Sequence, residues 1–150
     1  MPMTRTQVGD DVVYQFAGTV DRYDIHALFD DNYHNYQTIG DALGYIYDFS
    51  QTDKIALSTV RVTQMRLSTT PANRPIAVIS NNTKTFTTLL RTVETFTSLR
   101  GRPLYGVVTS IDEGHTWLAN YFTNQGLQRD QLRGRHTLTL SPPLNIQRPD

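Results

Sequence analysis

The groups with which this 150-residue chain could do chemistry are four histidines, fourteen acidic residues and many hydroxyls, and there is no cysteine. The missing thiol excludes disulfides, thiolate nucleophiles and cysteine zinc sites, so a nucleophile would have to be Ser, Thr, Lys or a carboxylate. His26, Asp30 and His34 fall at i, i+4 and i+8, which puts neighbours on one helix face in reach of a metal. The two ends stand about 12 Å apart along a helix, too far for all three to share one ion. They read as solvated polar residues, and no metal, cofactor or catalytic residue is expected.

Asp48 closes an apolar run and could act as a general base, but no His or second carboxylate stands close in sequence to complete a site. A turn-capping aspartate is the simpler reading, and Ser50 shares it. Ser58 and Thr59 are candidate phosphosites, because charge added near a helix start acts on the helix dipole and on a partner's surface. The plain alternative makes them ordinary helix residues. Asn81-Asn82-Thr83-Lys84 follows a strand and opens a helix, where free backbone N–H groups could hold an anion. Without a glycine for close approach it reads as capping. No phosphate-binding glycine loop, nucleophile elbow, zinc-protease helix or dinucleotide fingerprint is present, and the chain is expected not to be an enzyme.

Amphipathic aromatics are the remaining candidates. Tyr33, Tyr36 and Trp117, with Asp48 and Ser50, could line an interaction surface or ligand cleft, and Tyr45, Tyr47 and Tyr121 belong to the same set. The competing reading places most of them in the core.

The elements that must position these groups follow from hydrophobic period. A polar strand over Met3 to Val8, a Gly9-Asp10 turn and the alternation Val12, Val13, Tyr14, Phe16 predict a hairpin ended by Gly18. From Thr19, with Thr or Asp as cap, Ile25, Leu28, Phe29 and Tyr36 recur at helical spacing. Leu43 to Phe49 reads as a buried strand and Thr52 to Leu67 as a covering helix. Ile76 to Ile79 is a continuous apolar run of the central-strand type, followed by a helix through Phe86, Leu89, Leu90, Val93, Phe96 and Leu99. A strand over Leu104 to Val108 then leads to Ser110-Ile111-Asp112-Glu113, whose spacing is that of a capping box. Strand and helix alternate from Asp11 to Phe122, which predicts an α/β fold: a mostly parallel, four- to five-stranded sheet flanked by helices. The domain is expected over 1–122, with 123–150 a polar tail, flexible or ordered by a partner, in which only Thr137 to Leu140 looks strand-like before Pro142-Pro143.

Bulk properties narrow the class. Hydrophobic residues at 38% and charged residues at 19% suit a globular chain with a weakly charged surface. The net charge is zero, yet residues 1–53 carry nine Asp against Arg5 and Arg22, and the rest of the chain is basic. That polarity suits steering of a partner or self-association into a homodimer. The basic residues form no dense or aromatic-interleaved stripe, so nucleic acid is not expected. No signal-peptide pattern and no apolar run of membrane length occurs, so there is no membrane span and a cytoplasmic setting is expected.

The Val12-to-Gly18 strand, the aspartate-bearing strand Tyr45-Ile46-Tyr47-Asp48-Phe49-Ser50, the strand Pro75 to Ile79 and the helix Ile111-Asp112-Glu113-Gly114-His115-Thr116-Trp117-Leu118 together resemble a STAS-like domain of the SpoIIAA-like bacterial group. The likeness covers about residues 8–122. It implies a SpoIIAA-like sheet flanked by helices and a non-enzymatic role in bacterial protein–protein regulation. In anti-sigma-factor antagonists of this fold an Asp-Ser-Ser-Gly turn opens the helix after the aspartate strand, and its second serine is phosphorylated to release the partner. Here the stretch reads Ala56-Leu57-Ser58-Thr59: Ser58 falls at that serine, and the Asp, first Ser and Gly are absent. The fold is also similar to the lipid-carrying domain of CRAL-TRIO proteins, which implies an alternative, a carrier of a small apolar ligand in a helix–sheet cleft.

Overall fold

A computed structural model describes residues 3–56, 58–59, 61–63, 75–79, 87, 91 and 105–133. Its centre is a five-stranded sheet of β1 (Met3–Val8), β2 (Asp11–Val20), β3 (Gly44–Ile55), β4 (Ile76–Ile79) and β5 (Tyr105–Val108), in the spatial order β1-β2-β3-β4-β5. β1 runs antiparallel to β2, and every other neighbour pair is parallel. The expected hairpin, turning at Gly9-Asp10, and the mostly parallel α/β sheet are both present.

Helix α1 (Arg22–Ile39) connects β2 to β3, and α2 (Ile111–Asn124) follows β5; the short α3 is Arg129–Leu132. Side chains alternate across the strands, so the helices close two separate cores on opposite faces. Val12, Tyr14, Phe16, Tyr45, Phe49 and Val78 meet Ile25, Leu28, Tyr36 and Ile39 of α1. Val13, Ile46, Ala77, Ile79 and Val108 meet Leu118 of α2, with Ile111 and Trp117 at the margin.

Two boundaries differ from the sequence reading. β2 does not end at Gly18: that residue, at φ 70°, sits where the β2–β3 register slips, and the strand continues to Val20. A left-handed residue opens a bulge there instead of a turn. The α1 cap is accordingly Asp21, whose carboxylate accepts from the amides of Tyr23 and Asp24 at 3.0 and 3.2 Å while Asp24 accepts from the Asp21 amide at 2.9 Å. The helix expected from Thr52 likewise starts later, because Gln51 to Ile55 stay in β3, paired with Ala17 to Val20. The β-branched residues there serve a strand, and Ser58, Thr59, Arg61, Val62 and Thr63 are the helical ones described. Of the helix expected through Phe86 to Leu99, Thr87 and Arg91 are helical and the rest lies outside the described residues, as do Asn81 to Lys84 and Thr137 to Leu140. Ser110 caps α2 by accepting from the Glu113 amide at 3.1 Å, but the Glu113 carboxylate reaches back to Thr109 and not to the cap.

Candidate functional site

β3 determines where the candidate groups fall. Its register against β2 slips twice, first between the Gln15 and Ala17 pairings, directly after Asp48. The Asp48 carboxylate is buried there, accepting from the Ser50 amide at 2.9 Å and from Gln15 Nε2 at 3.4 Å. It is the clamp of a bulge inside a long strand, not a group at a strand end. Ser50 is exposed at the same bulge.

Past the end of β3 the chain turns at Ala56, whose amide donates to the Val20 carbonyl at 2.9 Å. The next helical turn divides the two candidate hydroxyls. Thr59 has no exposed surface, and its Oγ1 donates to the Ala56 carbonyl at 2.6 Å. Ser58 is exposed. Helical geometry turns adjacent residues about 100° apart, so one hydroxyl ties the turn together while its neighbour faces water. A modifying enzyme can reach Ser58 without opening the fold, and Thr59 only by opening it.

The five residues expected to line one surface or cleft are not gathered. Tyr33 is half-buried and Tyr36 buried on α1, the Tyr36 hydroxyl donating to Asp41 at 2.9 Å. Asp48 pairs in register with Ile79 and so belongs to the α2 face, where Trp117 lies over Gly106 and stacks on Tyr121 at 5.9 Å. The sheet stands between the two groups. His26 and Asp30 are half-buried and His34 is exposed, and among the described residues no group of three or more His, Asp or Glu could hold a metal ion.

Two polar clusters carry no motif and were not read from the sequence. Beneath α1, the fully buried Tyr14 donates to Asp31 at 2.5 Å and accepts from Asn35 at 2.6 Å, and Arg5 of β1 reaches Asp31 at 3.0 Å. Tyr47 accepts from Asn32 at 2.7 Å, and Tyr45 donates to the Asn32 carbonyl at 2.9 Å. Burial, then the bond to Asp31, then the neighbouring tyrosines hold the Tyr14 phenol far above its ordinary range. Burial does the same to Tyr47, opposed in part by the Asn32 bond. Both phenols stay protonated and fully used at neutral pH.

The second cluster lies where the parallel strands begin. Asp11, 6% exposed, receives His115 Nδ1 of α2 at 2.6 Å on one oxygen and Arg129 Nη2 at 2.6 Å beside the other. Arg129 also donates twice to the Ala42 carbonyl, at 2.9 and 2.8 Å, and lies over the Phe122 ring. One oxygen is bonded to His115 and the other, which accepts no hydrogen bond, is ion-paired with Arg129, so the carboxylate clasps β2, α2 and α3 together. Asp11 stands more than a hundred positions from both His115 and Arg129, so the only hint in the sequence was an acidic first third facing a basic remainder.

The architecture is that of a known class. The chain has the fold of the anti-sigma factor antagonist SpoIIAA, seen in its unphosphorylated form, with 15% identity, 78% of this chain and 97% of that one covered and a TM-score of 0.50. A Thermotoga maritima protein described as a candidate anti-sigma factor antagonist matches at 14% identity over 78% of this chain and 94% of its own, also with a TM-score of 0.50. An uncharacterized DUF3478-family protein of Shewanella loihica with a SpoIIAA-like fold matches at 13% identity, over 77% and 91%, with a TM-score of 0.49. No family model and no curated protein matches the sequence. The fold is thus STAS-like, as the resemblance implied.

Proposed function

We propose that this chain is a non-enzymatic regulatory module of the STAS-like type, which works in the bacterial cytoplasm by binding another protein and is switched at Ser58. The observation that carries the reading is the division of labour in one turn: Thr59 is locked to Ala56 while Ser58, which the resemblance sets at the antagonists' serine, stands exposed just past the end of β3. A phosphate there would bring nearly two negative charges and three acceptor oxygens to the surface of the turn. The likeness to SpoIIAA supports this reading at the level of fold.

Binding without catalysis agrees with the sheet. Among the described residues its strands follow chain order from edge to edge, without the reversal at which α/β sheets open a ligand crevice. Asp48 and Asp11, the buried carboxylates on the α2 face, both serve internal contacts: Asp48 bonds Ser50 and Gln15, and Asp11 bonds His115 and is ion-paired with Arg129.

The test is an exchange of charge at one position. The full chain, Ser58→Ala and Ser58→Glu are each incubated with native lysate and ATP, and the captured proteins and the Ser58 phosphate are measured by mass spectrometry. The expected result is phosphate on wild type alone, and a protein retained by wild type and Ser58→Ala but weakened at least tenfold by Ser58→Glu. Equal capture by all three chains with no phosphate would overturn the switch. A co-purifying lipid with no protein partner would overturn the class.

A further inference from the structure

Helix α2 brings one histidine to a buried acid. Gly114 has no side chain, and a Cβ there would stand 3.1 Å from Ile46, so the helix lies close on β3. The next residue, His115, is thereby carried to the start of β2, where its Nδ1 meets Asp11 Oδ2 at 2.6 Å. Asp11 is 6% exposed, and its other oxygen accepts no hydrogen bond, although Arg129 Nη2 stands 2.6 Å away. A carboxylate taken out of water gains most from the one donor aimed at it, so the bond to His115 is charge-assisted and fixes the ring.

The two ring nitrogens are left with different work. In the neutral ring the proton sits on Nδ1, facing the carboxylate, and Nε2 carries the lone pair. The His115 side chain is 26% exposed, and among the described residues Nε2 has no hydrogen-bond partner. An imidazole oriented by a carboxylate through one nitrogen and open at the other is an activated nucleophile. A metal at Nε2 would need further ligands, and among the described residues no group of three or more His, Asp or Glu could supply them. Arg129, in contrast, brings a planar guanidinium to the same carboxylate that holds the ring, which suits an incoming phosphoryl group.

We propose that His115 is a phosphoryl-acceptor site, modified on Nε2 by a donor with a phosphorus–nitrogen bond, such as the phosphohistidine of another protein. The Nε2 lone pair attacks phosphorus, and the donor's P–N bond breaks with its electron pair going to the donor nitrogen. That donor is protonated before reaction and leaves as a neutral amine or imidazole. The proton on Nδ1 stays in place, and the ring becomes a phosphoimidazolium whose positive charge faces Asp11. One P–N bond replaces another, so no oxidant or further reactant is needed. The site lies where the parallel strands begin, at the opposite end of the sheet from Ser58, and it stands independently of the reading of that serine.

Potassium phosphoramidate, which carries a P–N bond and needs no kinase, tests the proposal on the full chain. The rate at each histidine is followed by mass spectrometry, and the nitrogen that carries the phosphate is identified by phosphorus NMR. His115 is expected to react about tenfold faster than His34, with the phosphate on Nε2. His34 is the more exposed of the two, and among the described residues no carboxylate stands against its ring. Accessibility alone would give the reverse order. A rate at His115 equal to or below that at His34, or attachment at Nδ1, overturns the proposal. Asp11→Asn keeps the side-chain size and removes the charge. In the folded variant the ratio of the two rates should fall about tenfold, and an unchanged ratio overturns the part given to Asp11. The wild-type ratio decides the site itself even if Asp11→Asn does not fold.

Discussion

On the face beneath α1, Tyr14, Tyr45 and Tyr47 send hydroxyls up to Asp31, Asn32 and Asn35 of the helix, and their rings lie 5.7 to 6.1 Å apart. On the face beneath α2, Gly44 and Gly106 offer no side chain, and Leu118 and Trp117 descend onto the strands instead. The first face adds directional bonds between large residues across its middle, whereas the second packs by shape at its centre and keeps its polar clasp, Asp11 with His115, at one end. One sheet thus seats α1 and α2 by unlike physics. A polar seat tolerates loss of one bond when neighbours can replace it, whereas a close-packed seat cannot relax around a missing or added carbon.

The sharpest way to break that contrast is Leu118→Ala, which removes a side chain with no exposed surface from the centre of the α2 seat. A loss of about 3 kcal/mol is expected in urea unfolding. Gly106→Ala comes next. A Cβ there would stand 2.4 Å from the Trp117 ring, so the ring must leave the strand and its stack on Tyr121. The expected cost is about 2 kcal/mol, with a red-shifted Trp117 fluorescence band that shows the displaced ring.

Tyr14→Phe on the other face should cost least, about 1 kcal/mol at neutral pH, because Asn35 keeps Asp31 at 3.3 Å and Asp31 keeps Arg5. Its signature is the pH dependence. The folded phenol titrates far above the unfolded one, so its contribution is fully present below about pH 10 and is lost above it, as the unfolded chain releases a proton that the native state retains. Stability of the wild type should therefore fall above pH 10 by up to about 1.4 kcal/mol per pH unit for each such tyrosine. Tyr14→Phe should remove one share of that slope and leave the Tyr47 share. An unchanged slope would show that the α1 seat is apolar after all.

Much of the scaffold was legible in the residues. The hairpin at Gly9-Asp10, the apolar run Ile76 to Ile79, the cap at Ser110 and the stripe through Ile25, Leu28 and Tyr36 each rest on interactions between near neighbours, which a linear pattern records. Gly18 and Thr52 misled because a left-handed glycine and a β-branched run each fit two local structures, and only pairing between Ala17 to Val20 and Gln51 to Ile55 selects the strand. Of the site, the pattern marked Ser58 and Thr59 together, and folding separated them into an exposed and a locked hydroxyl.

Periodicity and capping thus determined the class of fold, because hydrophobic burial and backbone hydrogen bonding act on every residue in the same way. Which polar residues meet was left to the tertiary structure. Asp11 finds His115 and Arg129 across more than a hundred residues, and Asn35 finds Tyr14 across a helix–sheet interface. Such contacts depend on where distant elements cross, and no local spacing encodes that distance.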